Sequence, residues 1–430
     1  MLWPYPAPGR NRSSAFSTHV TYTGGKRLSD IHFLSDLAGK ASSRMVLLVM
    51  DGLGGLPHPE TGMTELETAR TPNLDALATE SACGLIHAIG PGITPGSGPA
   101  HMALFGYDPV RFEVGRGVLS ALGVGMDLGP DDLAARVNFC TVEGGVITDR
   151  RAGRISTDTN ARLCDKLASI DVEGVKAEIR PEKEHRAALV FNAPGLSDRV
   201  TDTDPQKTGL APLRCEPLPD GGEAAKRTAS LVNAYLDRAA EVLADEHPAN
   251  MILTRGFAKL PHIPKMTELY GLRAGAIATY PMYQAVAKLV GMEALKTGPS
   301  FTDQVDALER NWEDFEYFFI HYKYTDSRGE DGDFEAKVSC IEEVDTELPR
   351  ILELDPDVLV VTGDHSTPAL LKGHSWHPSP LLLRSLRERG DGVKSFGETA
   401  CVSGCLGIFS AVDLLTLMLA NAGRLEKFGA

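Results

Sequence analysis

Three apolar runs in this chain each stop at an acidic residue. "RMVLLVMDGLGG" is uninterrupted from Met45 to Met50 and then turns to Asp51 and glycines. "DFEYFFIHYKYTD" runs into Asp326, and "PDVLVVTGDHSTP" is apolar from Val358 to Val361 before ending in Asp364 and His365. Apolar runs without alternation read as strands buried on both faces, which belong to parallel sheets covered by helices. In an open α/β sheet, ligands bind outside the carboxyl ends of the strands. The runs therefore predict an edge where Asp51, Asp326, Asp364 and His365 meet. Helix signals follow two of them. Thr71 and Pro72 open "TPNLDALATES" as N-cap and first helical residue, and Val338, Ile341, Val344 and Leu348 share one face of "DFEAKVSCIEEVDTELPRIL".

A chain of 430 residues exceeds what one hydrophobic core usually supports, so about two domains are expected. The texture changes after residue 112. "DDLAARVNFCTVEGGVITDRRAGR", "HRAALVFNAPGLSD" and "ANMILTRGF" read as a second set of strands joined by glycine-rich and polar turns. This predicts a large inserted α/β domain at 113–295, splitting a core of 44–112 and 296–430. A net charge of -15 excludes a nucleic-acid or anionic-membrane partner, because either would want a basic face. Seven scattered cysteines without a C-x-x-C pair suit reduced thiols and a cytoplasmic location, with Cys401 and Cys405 expected to be buried and structural. No apolar run approaches the roughly 18 residues of a membrane span. Residues 1–43 are basic and Ser-rich at first, faintly like a transit peptide, and read better as a frayed extension or a misplaced start.

The chemistry lies in an Asp/His/Ser set: Asp51, Ser97, Asp326, Asp364, His365 and His374. Mixed carboxylate and imidazole ligands suit zinc or manganese. Two such ions roughly 3.5–4 Å apart can activate a serine and hold an in-line phosphoryl displacement. In "GITPGSGPAHMALFGYDP", Ser97 stands between glycines at the start of a helical pattern, a setting that favours an arriving phosphate. Taken alone, the stretch reads better as a plain N-cap serine, and the residues around it shift that balance. The acidic segment "YTDSRGEDGDFEAK" is not a calcium loop, because Asp331 falls where glycine is required and Lys337 where a bidentate glutamate is required. Asp331, Asp333 and Glu335 read as solvated acids, whereas Asp326 directly follows a strand.

The segments "VMDGLGGLP", "TELETARTPNLDALA", "PGSGPAHMALFGYDP", "GRGVLSALG", "RVNFCTVEGGVITDRRAGRIS", "YKYTDSRGEDGDFEAKVSCIEEVD", "VVTGDHSTP", "GHSWHPSP" and "GRLEKFGA" occur in that order. Together they resemble the archaeal-type, cofactor-independent phosphoglycerate mutases of the alkaline phosphatase superfamily. The resemblance implies an α/β fold with an alkaline-phosphatase-like doubly wound sheet core and an inserted substrate-binding domain. It implies phosphoryl transfer through Ser97 as a phosphoserine, interconverting 2- and 3-phosphoglycerate or a related phospho or phosphono hydroxy acid. Two divalent metal ions are implied, manganese or zinc, or else magnesium. Asp51, Ser97, Asp364 and His365 would hold one, and Asp326, Glu330 and His374 the other. Asp149, Arg150, Arg151 and Arg154 of "DRRAGR", with Arg116, Asn138 and Arg255, would grip a small anionic phosphorylated substrate. A solvated charged turn is the plain alternative for "DRRAGR".

Several positions depart from the family's pattern. Glu330 stands where histidine is usual, Gly98 and Gly55 where acids are usual, Ser120 where glutamate is usual, and Gln284 where a lysine near the phosphoryl group is usual. These changes suit a relative retuned to another substrate. They keep two alternatives in view: a phosphohydrolase or homoserine-kinase-like phosphotransferase with the same metals, and a degenerate binding protein.

Overall fold

A computed structural model describes residues 31–172 and 175–429. Its larger sheet has eight strands in the order Glu293–Ala294, Ala274–Ala278, Tyr317–Tyr322, Met45–Met50, Val358–Thr362, Ser379–Ser385, Ala82–His87 and Gly407–Ser410. Only Ser379–Ser385 runs against its neighbours; every other pairing is parallel. Alternation explains how continuous apolar runs are used. Met45, Leu47 and Val49 join one core cluster with Phe319 and Val360, while Val46, Leu48 and Met50 join another with Ile320 and Val361. Both faces are covered, which is the doubly wound arrangement. Helices Ser97–Leu104, Pro281–Leu289 and Leu414–Asn421 lie on the first face, and Pro72–Thr79, Phe301–Arg310 and Phe334–Glu353 on the second. Val338, Ile341, Val344 and Leu348 are all buried on the last of these helices.

The smaller sheet lies in the insertion. Its path is Val146–Asp149, Leu133–Glu143, Arg186–Asn192, Val175–Pro181 and Asp171–Val172, with Met251–Lys259 paired to the other side of Leu133–Glu143. Helices Thr157–Leu167 and Gly222–Leu243 cover one face. Helix Arg116–Gly123 covers the other, where Gly117 packs so closely on the Ala134 carbonyl that a Cβ would sit 2.3 Å from its oxygen.

Three expectations need correction. The insertion does not reach residue 295: Ala274–Ala278 and Glu293–Ala294 are hydrogen-bonded into the larger sheet, beside Tyr317–Tyr322. The aromatic run ends as a strand at Tyr322, and Asp326 lies in the first turn of helix Tyr324–Asp331, which stops at Gly332 (φ 77°). The expected frayed extension is ordered in its last part. Helix Ile31–Leu37 is followed by a bridge from Ala38 to Leu425, and Leu34 enters the core. Residues 1–30, where the transit-like reading falls, lie outside the described residues.

Candidate active site

The parallel strands Tyr317–Tyr322, Met45–Met50 and Val358–Thr362 are adjacent, so the loops at their carboxyl ends crowd together. Asp51 follows its strand immediately. Gly52 then turns with φ 64°, donates its N–H to Asp364 Oδ1 at 3.0 Å, and leaves no room for a Cβ, which would lie 2.5 Å from Thr367 Oγ1. Ser97 is the first residue of helix Ser97–Leu104, whose N-cap is Gly96. The N-cap alternative for Ser97 therefore fails, and its Oγ instead lies 3.2 Å from His365 Nε2.

His365 is surrounded by groups that fix its tautomer. The Thr367 hydroxyl donates to Asp326 Oδ1 at 2.6 Å and lies 3.0 Å from His365 Nδ1. A hydroxyl has one proton, and a carboxylate only accepts, so Thr367 must accept from His365 Nδ1–H. Nε2 is then a bare lone pair, 3.4 Å from Asp51 Oδ1 and 3.2 Å from Asp364 Oδ2. Burial holds this imidazole well below its ordinary value, despite the pull of Asp51. His374 repeats the pattern: Nδ1 lies 3.0 Å from the Pro95 carbonyl, which can only accept, and Nε2 faces Asp326 Oδ1 at 3.5 Å and Glu330 Oε1 at 3.8 Å. Metal-binding histidines are held in this way by the nitrogen opposite the metal.

The two oxygens of Asp51 differ sharply. Oδ2 accepts from the Tyr283 hydroxyl, from His321 Nε2 at 3.2 Å and from Lys323 Nζ at 3.0 Å, whereas Oδ1 is buried without a donor. Asp364 Oδ2 is likewise buried and bare. Burial would raise Asp51, but Lys323, His321 and His365 hold it well below the usual carboxylate range. Burial and the charge of Asp51 push Asp364 well above that range. Two bare carboxylate oxygens facing an unprotonated nitrogen form a site that a cation would complete, and the donor set suits a divalent metal. Asp51, Asp364 and His365 have ligand atoms within 4.8 Å of one another, as do Asp326, His365 and His374. Glu330 lies outside both groups yet one helical turn from Asp326, within reach of His374. Burial and the charge of Asp326 raise its carboxyl.

A second feature is a cavity of about 160 Å³ in the insertion, lined by Arg116, Arg136, Asn138, Arg150, Arg151, His185, Arg186 and Arg255. Of the expected substrate residues, it gathers Arg116, Asn138, Arg150, Arg151 and Arg255. Asp149 and Arg154 are not in its lining. Asp149 accepts from the N–H groups of Arg151 and Gly153 and so shapes the turn, and Arg154 is exposed. Arg150 is held in a bidentate pair with Asp204. Sequence reasoning missed Arg136, His185 and Arg186. Register places Arg136 opposite Arg255 and Asn138 opposite Arg186 on the strands flanking Leu133–Glu143. The alternation that puts residue 136 on the face of residue 138 was a usable signal for the first of these.

Carboxylates and imidazoles gathered on the carboxyl edge of a parallel sheet, in a chain that also carries an arginine-lined cavity, define a phosphoryl-transfer class of enzyme. A family model described as 2,3-bisphosphoglycerate-independent phosphoglycerate mutase matches residues 78–250. A protein of Thermotoga neapolitana named as a probable 2,3-bisphosphoglycerate-independent phosphoglycerate mutase is 51% identical over 400 residues, covering 93% of this chain and 98% of the relative. One of the same name from Thermus thermophilus is 51% identical over 403 residues, covering 92% and 98%. The structure of the cofactor-independent phosphoglycerate mutase of Thermoplasma acidophilum superposes with a TM-score of 0.72 at 31% identity, over 89% of this chain and all of the other. A Pyrococcus horikoshii protein gives 0.76 at 30% identity, over 90% and 99%. The chain belongs to the 2,3-bisphosphoglycerate-independent phosphoglycerate mutase family.

Proposed function

We propose that this chain interconverts 2- and 3-phosphoglycerate, with Ser97 accepting the phosphoryl group and returning it to the other hydroxyl. The observation that carries the reading is Ser97 Oγ at 3.2 Å from His365 Nε2, beside two buried carboxylate oxygens that no donor satisfies. Asp51, Asp364 and His365 would hold a divalent cation next to Ser97, and Asp326, Glu330 and His374 a second, with manganese or zinc the best match to mixed oxygen and nitrogen donors. When bound, such cations supply Lewis acidity toward the hydroxyl and phosphoryl oxygens.

The protein's own groups do the rest. The amino end of helix Ser97–Leu104 presents unpaired N–H groups and a favourable dipole to an arriving dianion. His101 Nδ1 donates to the Ser97 carbonyl at 2.8 Å and so steadies the turn that aims the hydroxyl. Burial, with the neighbouring His321, draws His101 down to about 3, so it serves as a neutral donor. As Oγ bonds phosphorus and the ester O–P bond breaks, the serine loses a proton and the departing glycerate oxygen gains one. The reverse step on the other hydroxyl restores the balance, so no net proton is needed. Arg116, Arg151 and Arg186 line the cavity and suit the carboxylate and phosphate of the substrate, which arginine binds bidentately. All seven cysteines are free, which accords with a cytoplasmic enzyme, and among the described residues no helix is long and apolar enough to cross a membrane.

Ser97→Ala tests the reading. It is expected to abolish conversion of 3-phosphoglycerate while metal stays bound. Mutase activity persisting in that variant overturns it, and release of free phosphate in place of 2-phosphoglycerate by the unaltered chain would mark a hydrolase instead.

A further inference from the structure

Lys323 was not among the residues read from the sequence, yet it joins both ligand sets. Its Nζ donates to Asp51 Oδ2 at 3.0 Å and to Asp326 Oδ2. In each aspartate the other oxygen, Oδ1, faces an imidazole: His365 for Asp51 at 3.4 Å and His374 for Asp326 at 3.5 Å. The ammonium therefore occupies the oxygens turned away from His365 and His374, and on Asp51 it shares that oxygen with His321 Nε2 at 3.2 Å. Cations held through the Oδ1 side would leave it in place. An ammonium has three hydrogens, and two are taken by the aspartates. The third has no acceptor among the described residues, and the Lys323 side chain is 15% exposed while both aspartates are sealed at 0% and 1%. Lys323 is thus the one member of the trio that reaches solvent.

Charge points the same way. The four negative charges that Asp51, Asp364, Asp326 and Glu330 carry when ionised would be cancelled by two divalent cations, leaving no surplus for a phosphoryl dianion. Lys323 restores one positive charge. We propose that Lys323 is a further catalytic residue, a third cation that donates a hydrogen bond to the phosphoryl group in transit to and from Ser97. This rests on the mutase reading above. Its cost to the protein is small, because both aspartates already hold the ammonium in position before substrate arrives, and preorganised donors of this kind contribute most to transition states.

The test uses the full chain with Mn²⁺ added. Lys323→Met, Lys323→Gln and Lys323→Arg are compared with the unaltered enzyme for metal content, kcat and KM with 3-phosphoglycerate, and calorimetric affinity for orthovanadate. Met and Gln are expected to keep their metal, to lose about a hundredfold or more in kcat with little change in KM, and to bind vanadate more weakly. Arg is expected to recover part of both losses. Loss of metal with unchanged turnover per loaded site would overturn the proposal, since Lys323 would then only neutralise the aspartates; so would unchanged kcat. If the unaltered chain converts no phosphoglycerate, the mutase reading fails on its own, and the vanadate comparison still decides the role of Lys323.

Discussion

The Thr367 hydroxyl locks His365 into a single tautomer, standing 3.0 Å from its Nδ1 while donating to Asp326 Oδ1 at 2.6 Å. One buried hydroxyl thereby couples the two halves of the candidate metal centre. It orients the imidazole of one set and takes up a lone pair of the carboxylate of the other.

Thr367→Val keeps the shape and removes both bonds. His365 Nδ1–H is left buried without an acceptor, at a cost of about 1–3 kcal/mol. Loss of a group that orients a metal-binding histidine typically weakens metal affinity by about 10–100-fold. Calorimetric titration with Mn²⁺ and denaturant unfolding measure the two effects. A valine variant with unchanged metal affinity would show that His365 needs no such partner.

Glu330 defines a second test. As the proposed ligand beside Asp326 and His374 it would give two carboxylates and one imidazole, where a histidine would give one carboxylate and two imidazoles. Oxygen-rich sets favour harder cations such as Mn²⁺ and Mg²⁺, and imidazole favours Zn²⁺. Glu330→His is expected to shift the Zn²⁺ to Mn²⁺ loading ratio by about tenfold toward zinc. Competitive loading followed by elemental analysis measures this. An unchanged ratio would mean that Glu330, whose side chain is 55% exposed, stays in solvent.

Much of this centre was legible because buried parallel strands announce their carboxyl ends. Asp51, Asp364 and His365 stand where apolar runs stop. Asp326 was found for a partly wrong reason: the aromatic run hides the strand end at Tyr322, and the short helix after it carries the candidate ligand. The insertion boundary failed because Ala274–Ala278 is short and looks like any other apolar strand; only its pairing with Tyr317–Tyr322 shows which sheet owns it. Cys401 is buried as expected, but Cys405 is exposed.

What sequence could not show is replacement at a distance. At Gly55, where an acid was expected, the Glu65 carboxylate fills the space, and a Cβ on Gly55 would lie 1.9 Å from Glu65 Oε2. Ser120, where a glutamate was expected, donates to Glu182 at 3.4 Å. Gln284, where a lysine was expected, spends its amide on the Ala278 carbonyl at 2.6 Å, while Lys323 supplies an ammonium at the carboxylates. Read singly, these departures suited a relative retuned to another substrate. At Gly55 and Ser120 the fold places a glutamate of another element beside the position.

His185 gives the anion cavity a pH signature. It is buried, and burial with the charge of Arg186 draws it down from 6.5 to about 4. Between those values the unfolded chain takes up a proton that the folded chain refuses, so stability falls as pH drops through 6.5 and the penalty is complete near 4. His185→Gln removes this term. Its urea midpoint is expected to decline less than that of the unaltered chain between pH 7 and pH 4.5. Equal slopes for both proteins would show that folding leaves the protonation of His185 unchanged.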